Sequence, residues 1–182
     1  MAKVLVGMTV SLDGFVNDRG GGVERLYPDL EALRETEMLQ DSIRATGAVV
    51  MGRRAYDMAG GDLTGYEYQV PIFVLTHQPP AQSAKGGLKV TFVTDGIENA
   101  IAQAKQAAGD RDVTVVGGPS TMQQCISAGL ADELHIGLVP LLLGGGLRLF
   151  DSVAADPIEL EKISVQESPG RTDIRFRFVK GR

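Results

Sequence analysis

Four β-branched residues in a row, Val113 to Val116, run directly into Gly117-Gly118-Pro119, and this junction restricts the possible folds more than any other segment. A run that short and that branched suits a strand covered on both faces. The two glycines allow a tight reversal, and a proline just inside a helix start is pre-organised for it. A buried strand delivered straight to a helix is the repeating unit of a parallel α/β sheet. The unit recurs where Ala48 to Met51 meets Gly52-Arg53-Arg54-Ala55-Tyr56. Val4 to Val10, ending at Ser11-Leu12-Asp13-Gly14, reads as a first central strand entering a loop.

Between these strands, Pro28-Asp29 opens a helical segment in which Ala32, Thr36, Leu39 and Ile43 form one stripe, with Gly47 as its stop. Asp95, followed three residues later by Glu98, is an N-cap signature for a helix that carries Ile97, Ile101, Ala104 and Ala108 and ends at Gly109. Ile72 to Leu75 and Val90 to Val93 are short strands. Leu134, Ile136 and Leu138 alternate with their neighbours, as do Ile158 to Val165 and Thr172 to Val179, with no helix between the last two runs. The expected fold is a three-layer α/β/α arrangement, one domain over residues 1–182, with a mostly parallel central sheet and an antiparallel C-terminal edge.

Composition narrows the function classes. With 43% hydrophobic and 23% charged residues the chain is not of the disordered type. A net charge of -5 opposes non-specific binding to nucleic acid or to an anionic membrane. The most apolar stretch, Ile136 to Leu143, is far shorter than the roughly 20 residues of a spanning helix. No signal segment precedes the first strand, and a lone cysteine, Cys125, forms no internal disulfide, so a cytoplasmic location is expected. Cys125 lies on an apolar stripe and reads as a core thiol. His77 and His135 lack the spacing of a metal pair, and no metal is expected. The apolar-alternating C-terminal strands offer a sheet edge that predicts a homodimer.

Ligands of open α/β sheets settle beyond the carboxyl ends of the strands. Gly52-Arg53-Arg54-Ala55 reads either as a phosphate clasp or as a solvated arginine pair. Gly117 and Gly118 read as a tight turn or as a pyrophosphate seat, with N–H groups of Ser120, Thr121 and Met122 at a helix start. His77 is a phosphate donor or part of a surface turn before Pro79-Pro80. Asp13 and Asp29 lie at loop junctions, where Asp29 has the alternative role of stabilising a helix N-terminus.

Five motifs in order resemble the dihydrofolate reductase-like superfamily and, within it, the RibD C-terminal domain group, over nearly the whole chain. They are Ser11-Leu12-Asp13-Gly14-Phe15, Val50-Met51-Gly52-Arg53-Arg54-Ala55-Tyr56, Phe73-Val74-Leu75-Thr76, Val115-Val116-Gly117-Gly118 and Leu142-Leu143-Gly144-Gly145-Gly146. The resemblance implies bound NADPH, with Gly52, Arg53, Arg54, Ala55, Leu75, Thr76 and His77 near the adenosine phosphate. Gly117, Gly118, Ser120, Thr121 and Met122 would surround the pyrophosphate. It implies hydride transfer to a small heterocyclic or conjugated acceptor, with Asp29 and Asp13 as candidate catalytic acids. The alternatives are the 5-amino-6-(5-phosphoribosylamino)uracil reductase of riboflavin biosynthesis and a non-catalytic NADP-binding module. This chain departs from the family's usual pattern at Ala55 (commonly threonine), at Gly7 (a lysine in the riboflavin-pathway reductases) and at Val116 (a glutamate there).

Overall fold

Alternate residues of the central strands face opposite sides of one sheet, and the two sides are covered differently. The computed structural model describes residues 2–28, 30–82, 84–151, 153, 156–168 and 170–180. Among them, eight strands form a single sheet: β1 (Val4–Ser11), β2 (Thr46–Gly52), β3 (Ile72–Leu75), β4 (Val90–Val93), β5 (Asp112–Val116), β6 (Glu133–Val139), β7 (Leu160–Ser168) and β8 (Arg171–Phe178). Their order is β4-β3-β2-β5-β1-β6-β8-β7. The strands from β4 to β6 in that order are parallel, β8 runs antiparallel to β6, and β7 pairs with β8 as a hairpin. Helices lie on both sides, so the layers are α/β/α, with the antiparallel C-terminal edge that the alternating runs predict.

One side is closed. Val4, Val6, Ala48, Val50, Val113 and Val115 are fully buried beneath α4 (Ile97–Ala108) and α5 (Pro119–Ser127). Each such valine contributes about 1.5–3 kcal/mol relative to its exposed state. Cys125 belongs to this core, and burial pushes its thiol up to about 12. The other side is closed only over β2 and β3, where Val49, Met51, Ile72 and Val74 pack with Tyr56, Leu63 and Tyr68. Here α2 (Glu37–Ala45) and α3 (Arg53–Met58) make up the cover, with α1 (Leu30–Arg34) against α2. Over β1, β6 and β8 the same side stays open as a cleft. No helix among the described residues is long and apolar enough to cross a membrane.

Three local expectations are corrected. The helix read from Pro28 to Gly47 is two helices, because Thr36 leaves helical geometry (φ -68°, ψ 139°) and its Oγ1 accepts from Leu39 N–H while donating to Leu33 O. Gly47 is no helix stop; it is a buried residue of β2. Asp95 does not cap α4, whose N-cap is Gly96 at φ +106°, and the Asp95 carboxylate accepts from Asn99 instead.

Gly47 is required by packing, since a Cβ there would lie 2.7 Å from Ala108 O and 2.8 Å from Arg111 Cβ. Gly47→Ala is therefore expected to cost about 1–3 kcal/mol in urea denaturation. At Gly87 a Cβ would meet open space, and the same change there should be close to neutral.

Candidate active site

Two glycine turns meet at the carboxyl end of the sheet. They are neighbours because β2 and β5 pair with Met51 opposite Val116. Gly52 N–H donates to Gly117 O at 3.3 Å. A Cβ on Gly52 would approach Thr121 Oγ1 to 2.6 Å, and one on Gly117 would approach Ala55 Cβ to the same distance. Gly118, at φ +80° and ψ 107°, is the N-cap of α5, with Pro119 next. Both Gly117 and Gly118 thus hold backbone conformations that favour glycine.

A third segment joins this cluster through Arg53. Its Nη1 donates to Gln78 O at 2.8 Å and its Nε pairs with Asp57 at 2.8 Å, which ties the residues after β3 to α3. Thr76 Oγ1 donates to the same Gln78 carbonyl, and His77 is exposed. Arg54 is exposed and makes no hydrogen bond or ion pair among the described residues. The structure therefore gathers Gly52, Arg53, Arg54, Ala55, Leu75, Thr76, His77, Gly117, Gly118, Ser120 and Thr121 at one end of the sheet. Met122 departs from expectation. Its side chain is fully buried in the core, and its N–H, like that of Thr121, donates to Gly118 O. In the first turn of α5 only the Ser120 N–H is left over for a ligand among the three expected donors.

Asp13 is a loop clamp. Its carboxylate accepts from Ser11 Oγ (2.6 Å), Leu143 N–H (3.1 Å) and Gly144 N–H (2.8 Å). The Ser11 hydroxyl above all, with the two amides, brings its carboxyl down to about 2. The carboxylate expected to act as a catalytic acid is thus engaged by three donors of its own loops. Its own carbonyl accepts from Arg148 Nη1 at 3.1 Å, and that guanidinium stacks 4.4 Å from the Phe15 ring centroid. The other candidate acid, Asp29, lies outside the described residues.

From the glycine turns a cleft of about 920 Å³ runs along the open side of the sheet. Tyr27, Leu33 and Leu39 form one wall, and Leu63, Tyr66 and Tyr68 another. Tyr66 and Tyr68 are tilted against each other with centroids 5.7 Å apart, and burial raises both phenols above their ordinary range. The floor is polar: Gly7 and Thr9 of β1, Glu133, His135 and Gly137 of β6, and Asp173 and Arg175 of β8. Burial works against ionisation of Glu133, yet hydrogen bonds from Lys3 Nζ and Arg175 Nη2, both 2.7 Å, hold it below the usual carboxylate range. Arg171 and Asp173, both buried, pair at 3.1 Å. Motif reading misses Glu133, His135 and Asp173. The signal that finds them is the polar phase of two alternating strands, opposite the apolar Leu134, Ile136, Ile174 and Phe176.

Residues 2–172 match the family described as the RibD C-terminal domain. The chain belongs to this family. It is 26% identical to YwjB of Bacillus subtilis (strain 168) over 149 residues, 81% of this chain and 82% of that one. Among solved structures it resembles a protein from Shewanella sp. PV-4 named for riboflavin biosynthesis, with TM-score 0.83 and 25% identity over 99% of this chain and 100% of the other. Dihydrofolate reductase from Enterococcus faecalis, solved with NADP(H), shares the fold at TM-score 0.67 and 17% identity, covering 98% of this chain and 97% of its own.

The clamp has a definite pH dependence. Because folding lowers the Asp13 carboxyl from 3.8 to about 2, the stabilisation is complete above the ordinary carboxylate range and is lost as the pH falls through about 2. Asp13→Asn removes it at neutral pH, and hydrogen exchange at the Leu143 and Gly144 amides should accelerate while amides of β5 keep their protection.

Proposed function

We propose that the protein is an NADPH-dependent reductase that passes hydride to a small heterocyclic or conjugated acceptor in the cleft. One observation carries this reading: Ala55, Val116 and Gly117 belong both to the glycine turns and to the cleft lining, so a dinucleotide on the turns reaches the floor in one continuous site. The residues fit such a cofactor. Two abutting turns without side chains give a backbone surface that phosphate can approach, the Ser120 N–H opens at a helix start, and Arg54 is free to clasp a 2′-phosphate. NADPH, when bound, supplies the hydride. The chain's own residues bind, orient and keep water away: Tyr66 offers a ring face, and the apolar walls narrow access to the floor. The family description and the reductase fold of its neighbours support the same reading.

The family also favours a riboflavin-pathway pyrimidine reductase as the second reading. A phosphorylated substrate needs cations near the floor, where Arg171 Nη2 is engaged with Asp173, and Arg175 and Lys3 with Glu133. Arg148 is held over Phe15. Pairing of this kind suits an acceptor without a phosphate. A homodimer through the edge strand β7, whose Leu160, Ile163 and Val165 are exposed, is part of the same proposal, and light scattering at micromolar concentration measures it.

The decisive experiment titrates the protein with NADPH and NADH, then follows NADPH absorbance against a panel of heterocyclic and enone acceptors. NADPH should bind tighter than NADH, and Arg53→Ala plus Arg54→Ala should erase that preference. Gly118→Ala should weaken NADPH at least tenfold, about 1.4 kcal/mol, with the fold retained. Binding without turnover on any acceptor favours the non-catalytic module. A folded Gly118→Ala protein that binds NADPH like the parent moves the pyrophosphate away from this turn.

A further inference from the structure

Three buried polar side-chain atoms lack a partner among the described residues, and all three belong to two side chains of the cleft floor: His135 Nε2, and Nε and Nη1 of Arg171. Buried groups of this kind are costly, so their concentration on one floor calls for a reason beyond packing. Their arrangement is specific. The Arg171 guanidinium lies across β6 in the space that a side chain at Gly137 would fill. From there Nη2 donates to Thr9 Oγ1 of β1 at 3.0 Å and pairs with Asp173 Oδ1 at 3.1 Å. The same Asp173 oxygen faces His135 Nε2 at 3.6 Å. The Asp173 and Arg171 side chains are each 5% exposed, whereas His135 is 29% exposed. Nε2 therefore faces the buried carboxylate, which leaves Nδ1 as the ring nitrogen for the cleft that His135 lines. Beside it on β1, Gly7 has no side chain and leaves the floor bare.

We propose that His135 is the proton donor of the reduction and that Asp173 and Arg171 are its positioning residues. This rests on the reductase reading above. Reduction of a C=N bond, or of a C=C bond conjugated to a carbonyl, needs hydride at carbon and a proton at nitrogen or oxygen. As carbon takes the hydride, the π electron pair moves to that heteroatom, which takes the proton from Nδ1. The Nδ1–H bond breaks, imidazolium becomes neutral imidazole, and water entering after product release returns the proton. Asp173 fixes the ring, as a buried carboxylate does for a catalytic histidine. Arg171 holds that carboxylate in place. A separation of 3.6 Å is long for a hydrogen bond, and contacts of this type tighten when substrate closes the site.

Other charges near the imidazole are accounted for. On β6 and β8, Glu133 and Arg175 are bonded to each other at 2.7 Å. Across the cleft the ionisable groups are Glu24, Arg34, Glu37, Asp41, Glu67 and the phenols of Tyr27, Tyr66 and Tyr68, with Asp112 at the end of the floor. The faces of β1 and β7 present Gly7, Thr9, Ser164 and Gln166, none of which titrates at neutral pH.

The chain has two histidines, so the test is simple to read. In the full-length protein with 15N-labelled histidine, Asp173→Asn should change the 15N signals of the His135 ring and leave those of exposed His77 unmoved. Should that variant unfold with Arg171 uncompensated, Asp173→Asn combined with Arg171→Gln removes both charges and carries the same expectation. A His135 ring indifferent to the loss of Asp173 overturns the positioning role. With an acceptor found in the panel, His135→Gln should lower kcat at least about a hundredfold, remove the matching limb of the pH profile, and leave the NADPH Kd within about twofold. Parental turnover with an unaffected His135→Gln protein overturns the proton donor alone. A parent that neither binds nor oxidises NADPH overturns the reductase reading itself, whatever the His135 ring signals show.

Discussion

The contact between the β2–α3 and β5–α5 turns governs the rest of the molecule. It exists because Gly52 and Gly117 lack side chains and Ala55 carries only a methyl: a Cβ on either glycine would fall 2.6 Å from a neighbouring heavy atom. The contact links the two helical layers, since α3 lies on the partly open side of the sheet and α5 on the closed side. It also sets where the cleft begins. Interiors packed to crystal-like density transmit such a constraint, because α5 cannot move without disturbing the core into which its Met122, Cys125 and Ile126 are packed.

From that fixed end the open side of the sheet changes character strand by strand. Over β2 and β3 it is an apolar core, and over β1, β6 and β8 it is a floor of paired charges. Buried ion pairs add little net stability, because desolvation offsets their attraction, but they hold side chains in defined places. Arg171, Asp173 and Glu133 are therefore better understood as fixing geometry beneath the cleft than as supports of the fold. The loops above follow the same logic, with Asp13 gathering Ser11, Leu143 and Gly144 around one carboxylate.

Sequence patterns and structure agree where the determinant is local. The strand at Val113 to Val116, the turn at Gly117-Gly118-Pro119 and the hairpin of the last two strands are legible because β-branching, glycine and proline act within a few residues. They part where one residue type serves two purposes. Thr36 keeps the helical stripe yet caps α2, and Gly47 resembles a stop yet is needed for close approach to Ala108. Met122 stands at the right helix start, but its N–H is already bonded within the turn. Asp13 has the chemistry of an acid, and only the tertiary structure shows the three donors that engage it.

The sequence alone determined the alternation of strands and helices, the glycine junctions, and with them the family, because each depends on backbone freedom and side-chain period over short stretches. The tertiary structure alone decided the cleft floor. Thr9 and Arg171 are 162 positions apart and meet only because β6 lies beside β1 and β8 returns antiparallel beside β6. Which side chains face one another there follows from strand register, a property of pairs of strands that no single segment contains.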